Sequence, residues 1–161
     1  MTEKVPMTPA GQERLRAELH RLRETERPRI SKAIGVAREH GDLRENAEYH
    51  AAKEEQGMTE ARIRDYESAL SRAEVIDPTK LSGTRVLFGA IVKLANPDTN
   101  EEVTYTIVGP YETDVKRGLI SVTAPLARAM VGKEIGDEVS LVRPDGSKKD
   151  FEILEVSYPT A

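Results

Sequence analysis

Asp42 and Glu45, three residues apart, are the side chains of this sequence best placed to do chemistry. They fall in Gly41-Asp42-Leu43-Arg44-Glu45-Asn46, a stretch flanked by two long helical patterns and too short to be anything but a tight reversal. If the reversal is helical, the two carboxylates share one face with their Cβ atoms about 5–6 Å apart. Carboxylates that close repel each other unless a cation lies between them. Mg²⁺ suits such a pair: it is a hard ion, takes oxygen ligands, keeps waters, and is commonly held by one or two protein carboxylates plus phosphate. Two exposed carboxylates hold it weakly, so the pair reads as half a metal site that needs ligands from elsewhere. The same spacing also has a structural reading, favoured by spacing alone. Asp42 can be the N-cap of the second helix with Glu45 at its third position, a capping box with Asp in place of Ser or Thr. One carboxylate can serve both ends.

The elements on either side must position this pair. Thr8-Pro9 reads as a helix start, Thr as N-cap and Pro at the first helical position, where its missing N–H costs nothing. Leu15, Leu19, Leu22, Ile30, Ala33 and Ala37 follow at steps near three and four, one face of a helix. Pro28 interrupts the pattern and predicts a kink or local break near Glu24–Arg27. His40-Gly41 closes it with a basic last turn and a glycine suited to the left-handed position. Tyr49, Ala52, Gln56, Thr59, Ile63, Tyr66, Leu70 and Ala73 form a second, more regular seam with two polar members. Two such helices joined by a minimal loop make an antiparallel coiled-coil hairpin, an arm of roughly 45 Å at 1.5 Å per residue. Near its tip, Arg38, Arg44 and Lys53 are candidates for meeting phosphates, weighed against ordinary solvated helix charges. Tyr49 fits the seam better than a stacking role, and His40 and His50 lack metal-ligand spacing.

After Asp77-Pro78 the apolar period changes to two. Val86–Leu94, Val103–Ile107 and Leu119–Val122 read as strands, Leu126–Val131 as a short helix, and Glu138–Val142 with Phe151–Val156 as a closing hairpin around Pro144-Asp145-Gly146. The expected fold class is α+β: an N-terminal hairpin over 1–77, a linker over 78–83, and a small antiparallel-sheet domain with one short helix over 84–161. The 161 residues carry a net charge of −4 and only 4% aromatics, which excludes a broadly basic nucleic-acid coat and a large single core. With no Cys, disulfides and Cys-based zinc sites are excluded. No signal-like or membrane-length apolar stretch occurs, so a soluble, cytoplasmic protein without membrane contact is expected. There is no GxGxxG, no P-loop, and no Ser with His–Asp company.

The run Ala37-Arg38-Glu39-His40-Gly41-Asp42-Leu43-Arg44-Glu45-Asn46-Ala47-Glu48-Tyr49-His50-Ala51-Ala52-Lys53-Glu54 closely resembles the tip of bacterial Gre transcript cleavage factors, GreA type. Val5-Pro6-Met7-Thr8, Val75-Ile76-Asp77, Phe88-Gly89-Ala90, Ile107-Val108-Gly109, Leu119-Ile120-Ser121-Val122 and Pro125-Leu126-Ala127-Arg128 resemble the same family in its own order. The resemblance implies a coiled-coil arm followed by a C-terminal FKBP-like domain. It implies that this domain docks on RNA polymerase, that the arm enters the secondary channel, and that Asp42 and Glu45 help hold the second catalytic Mg²⁺ of the polymerase's own active centre. Backtracked RNA is then cleaved near its 3′ end, and the factor alone is no nuclease. Arg38, Arg44 and Lys53 would steady the extruded nascent RNA. Thr123, Ala124 and Pro125 correspond to a polymerase-contact loop in which the family commonly carries Ser-Pro; here Ala124 lacks the hydroxyl while Pro125 keeps the turn. Direct contact with DNA is expected to be weak, and a monomer is expected because the hairpin satisfies its own seam.

Two other functions compete with this one. A Gre-like regulator that blocks the channel without promoting cleavage would carry an altered, more acidic tip, unlike this one. A prolyl isomerase would need an aromatic-lined pocket, and residues 84–161 supply only Phe88, Tyr105, Tyr111, Phe151 and Tyr158.

Overall fold

The fold is described from a computed structural model for residues 3–41 and 46–160; Asp42, Leu43, Arg44 and Glu45 lie outside the described residues. The chain divides into two compact units. One holds Gln12–Ala73 with the chain start up to Glu3, and the other holds Lys4–Gly11 together with Glu74–Ala161.

In the first unit, α1 (Pro9–Arg21, its first residues belonging to the second unit) passes through a single π-helical turn, Leu22–Glu26, into α2 (Arg27–Arg38). Pro28 explains the turn. It has no N–H to give, and in a regular helix its ring would meet the carbonyl four residues back. A π turn widens the ladder at that point and absorbs both defects. The expected break is therefore a bulge that keeps the chain helical. Leu22, Ile30, Ile34 and Ala37 are buried, while Ala33, expected in the seam, is exposed and Ile34 takes its place.

The return helix, α3, is Ala47–Ser71 and spans about 38 Å at 1.5 Å per residue. Its stripe follows the expected register, with Ala52, Thr59 and Ile63 buried and Tyr49, Gln56, Tyr66 and Leu70 half-buried. Two apolar clusters hold the helices together. Leu19 and Leu22 meet Ile63, Tyr66 and Leu70; Ile30 and Ile34 meet Ala52 and Tyr49. Ser31, Gln56 and Thr59, together with Ile30, line a cleft of about 270 Å³. Arg23–Glu67 (2.9 Å), Arg27–Glu60 (2.7 Å) and Arg29–Glu55 cross between the helices, the glutamate number falling as the arginine number rises, as antiparallel pairing requires. These pairs are exposed and each contributes little alone.

In the second unit, β1 (Val5–Met7) pairs with β2 (Ala73–Val75), and Ile76 N–H donates to Met7 O at 2.9 Å. A five-stranded sheet follows, built from β3 (Ile91–Ala95), β4 (Glu102–Val108), β5 (Leu119–Ser121), β6 (Glu138–Val142) and β7 (Lys148–Ser157), in the order β5-β4-β3-β7-β6. All its pairs are antiparallel except β4 with β5, where the long 109–118 connection lets the chain return in the same direction. The short helix α4 (Pro125–Met130) buries Ala127 and Met130 against Val86, Val92, Leu94, Ile107, Val139, Phe151 and Ile153. The architecture is α+β.

Lys4–Gly11 joins this second unit, not the hairpin, through its pairing with β2 and through Glu112. The Glu112 side chain is 7% exposed and accepts Thr8 N–H at 3.0 Å, Gly109 N–H at 3.1 Å and the Thr8 hydroxyl. Thr8 Oγ1 in turn accepts Gly11 N–H at 3.0 Å and caps α1. Gly11 is required for space: a Cβ there would lie 2.2 Å from Glu112 Cδ.

Two outcomes follow from this packing. Glycine to alanine in a helix normally gains up to about 1 kcal/mol. Gly11→Ala must instead displace a carboxylate tied to two backbone amides, each costing about 1–3 kcal/mol when orphaned. Gly11→Ala is therefore expected to lower the thermal midpoint; a raised midpoint would show that Glu112 moves freely. The second outcome concerns acid. The hydrogen bond from Arg27 holds the Glu60 carboxyl below the ordinary glutamate range. A depressed folded pKa gives support that is present above the unfolded value and lost as pH falls through the folded one. Arg27→Gln should therefore reduce the stability lost on acidification below that range, read as thermal midpoint against pH.

Candidate functional site at the hairpin turn

The turn is built from two helix ends, each of which leaves backbone groups without intrahelical partners. On the α2 side, Glu39 N–H donates to Val36 O and His40 N–H to Ala37 O, both at 3.1 Å. Gly41 follows at φ +107°, in the left-handed region where glycine carries no Cβ penalty. This is the stop expected from His40-Gly41.

On the α3 side the cap is Asn46, which corrects the expectation that Asp42 caps this helix with Glu45 at its third position. Asn46 has extended backbone, and its Oδ1 accepts Tyr49 N–H at 2.9 Å. Its Nδ2 donates to Ala37 O at 2.7 Å, nine residues upstream. One amide thus serves the start of α3 and the end of α2. The capping-box pattern pointed to Asp42 because of the acid three residues later; Asn46 has Tyr49 there and gives no such signal. With α3 capped by Asn46, Asp42 and Glu45 are not needed for that role. Their own positions, and that of Arg44, lie outside the described residues.

Of the basic candidates, Arg38 is exposed, with its guanidinium carbon 5.9 Å from the Tyr49 ring centroid. Tyr49 packs with Ile30, Ile34 and Ala52, as its seam position implied, and presents its ring to Arg38 and, edge-on at 5.7 Å, to His50. Lys53 lies one turn beyond Tyr49 on the same face of α3, exposed, donating to Gln56 Oε1 at 3.1 Å. The structure therefore brings Arg38 against Tyr49, while Lys53 is engaged with Gln56 one turn further along α3. Among the described residues no group of three or more His, Asp or Glu could hold a metal, and no helix is long and apolar enough to cross a membrane.

In the second unit, Thr123, Ala124 and Pro125 form the entry to α4. Ser121 Oγ accepts Thr123 N–H at 3.1 Å and lies 2.7 Å from Thr123 Oγ1. Ala124 occupies the N-cap without a side-chain bond, and Pro125 opens the helix.

Residues 5–75 match the family model "Transcription elongation factor, N-terminal", and residues 81–158 match "Transcription elongation factor, GreA/GreB, C-term". The chain belongs to the GreA/GreB family of transcription elongation factors. Among its relatives, the Transcription elongation factor GreA of Francisella philomiragia is 59% identical over 96% of this chain and 97% of its own. The GreA of Rhizobium leguminosarum bv. trifolii is 57% identical over 98% of this chain and 99% of its own. Among solved structures, GreA factor homolog 1 (Gfh1) of Thermus thermophilus is 32% identical, covering 96% of this chain and 99% of its own, with a TM-score of 0.45. The turn and its flanking cations fall in the N-terminal family match, and the Thr123–Pro125 entry falls in the C-terminal one.

The bare N-cap at Ala124 is directly testable. Ala124→Ser supplies an acceptor for the first turn of α4, and a cap of this kind contributes about 0.5–2 kcal/mol. A raised denaturation midpoint of the full chain is expected, and an unchanged one would mean that the entry is already satisfied by solvent.

Proposed function

We propose that this elongation factor stimulates RNA polymerase to cleave backtracked RNA near its 3′ end, with Asp42 and Glu45 completing a Mg²⁺ site that the polymerase begins. The observation that carries the reading is the pair of hydrogen bonds made by the Asn46 side chain. It caps α3 and closes the end of α2, so the cap of α3 is not a duty of Asp42 or Glu45. Family membership, matched over both parts of the chain, supports the elongation role.

The donor set fits the ion. Two carboxylates are hard oxygen ligands, and Mg²⁺ is ordinarily held by one or two of them together with phosphate and water. When bound, Mg²⁺ supplies charge stabilisation to in-line phosphodiester hydrolysis in a two-metal site. The chain's own contribution is positional. Asp42 and Glu45 bind, the α2–α3 arm delivers them, and the second unit docks on the polymerase with Thr123, Ala124 and Pro125 as its contact loop. Arg38, Arg44 and Lys53 meet phosphates of the extruded RNA, with Arg38 set by its seat on Tyr49. The bond-breaking activity is the polymerase's own, and the factor alone does not cut RNA.

Asp42→Asn tests this reading in a stalled, backtracked polymerase complex with labelled RNA over a Mg²⁺ titration. Because α3 has its own cap, the substitution removes charge and spares the helix. Cleavage is expected to fall more than about tenfold, or 1.4 kcal/mol in barrier, or to need much more Mg²⁺. Equal cleavage by both proteins would sink the mechanism. Binding without cleavage by the unsubstituted protein would make it a channel-blocking regulator.

A further inference from the structure

We infer that Asn46 is a positioning residue for the cleavage chemistry, acting as a clamp that fixes the separation between the two ends of the turn. This rests on the functional reading above, in which Asp42 and Glu45 are the working groups of that turn.

The argument begins with the amide itself. A primary amide offers an acceptor oxygen and two N–H donors. Tyr49 N–H demands an acceptor and Ala37 O demands a donor, so only one orientation of the Asn46 side chain satisfies both, at 2.9 and 2.7 Å. Asn46 is half-buried at the base of the turn. Both of its partners sit on packed ground. Ala37 is 3% exposed, and Tyr49 belongs to the cluster of Ile30, Ile34 and Ala52. The Arg38 guanidinium over the Tyr49 ring links the same two helix ends a second time, more weakly. A cap needs only the acceptor, so Asp and Ser cap about as well as Asn. The donor to Ala37 O is what goes beyond capping, and it holds α2 to α3 at the point where the turn begins and ends.

Reaction rates are sensitive to such a constraint: a misplacement of about 1 Å costs about 100-fold. Losing the clamp should thus lower the maximal cleavage rate while leaving the affinity for polymerase, carried by other surfaces, unchanged.

The test compares the full chain with Asn46→Ser and Asn46→Asp. The chain has no Cys, so spin labels can be placed at Glu39→Cys and Glu48→Cys, two exposed positions flanking the turn. The expected result has four parts: an unchanged helical circular-dichroism signal, a broadened distance distribution between the labels, an unchanged factor concentration at half-maximal cleavage, and a maximal cleavage rate down more than about tenfold. An unchanged distance distribution overturns the clamp. So does a broadened distribution with wild-type maximal cleavage, or a loss that appears only as weaker binding. Asp42→Asn, measured alongside, reports separately on the functional reading. Full cleavage by that variant removes the role of the carboxylates, whereas the clamp stands or falls on the label distance.

Discussion

A helix cannot end without some fate for the N–H and C=O groups that its terminal turns leave unpaired. That constraint shapes each important junction of this molecule. At the start of α1 it is met by the Thr8 hydroxyl, itself held by buried Glu112, and the arrangement forces glycine at position 11. At the turn it is met by Asn46, which serves two helices with one amide. At α4 it is met only by Pro125, which has no N–H to satisfy, while the cap position is Ala124. The first two solutions bind distant parts of the chain together and the third does not.

Among the described residues of the hairpin, two small apolar clusters are joined on α3 through the polar pair Gln56 and Thr59. The ion pairs across the seam are exposed and set register more than stability. Under these conditions a defect such as Pro28 could split the first helix. The π turn keeps the chain helical through it. The cluster nearest the turn, of Ile30, Ile34, Ala52 and Tyr49, begins just after this proline.

The parts of the fold that repeat were legible in the sequence, and the parts that depend on distant partners were not. The α3 stripe was readable because its steps of three and four run unbroken from Tyr49 to Leu70. The stripe of the first helix is legible at Leu15, Leu19, Leu22, Ile30 and Ala37; between Ile30 and Ala37 both Ala33 and Ile34 satisfy helical spacing, and it is Ile34 that is buried. Alternation at Val86, Phe88 and Ala90 did mark burial, but the strand begins only at Ile91, after Gly89 turns through φ +88°. The segment Lys4–Gly11 was assigned to the hairpin because β1 finds its partner only at Ala73–Val75 and Thr8 its acceptor only at Glu112. At the site, Asp42 and Glu45 stood out by spacing, and the same spacing wrongly suggested a cap. Asn46 was missed because half of its bonding reaches nine residues back.

The correction of the cap bears on the chemistry as well as the fold. A carboxylate that must accept a helix N–H has one oxygen committed and its orientation set by the helix. When a neutral amide takes that duty for α3, it does not fall to Asp42 or Glu45. On the proposed reading this is the useful arrangement for a shared site. Two exposed carboxylates hold Mg²⁺ too weakly to carry it through solution, so occupancy has to wait until the turn meets further ligands. The structural residue and the reacting residues are then different residues, and the turn can be held firmly by Asn46 without the acids being spent on holding it.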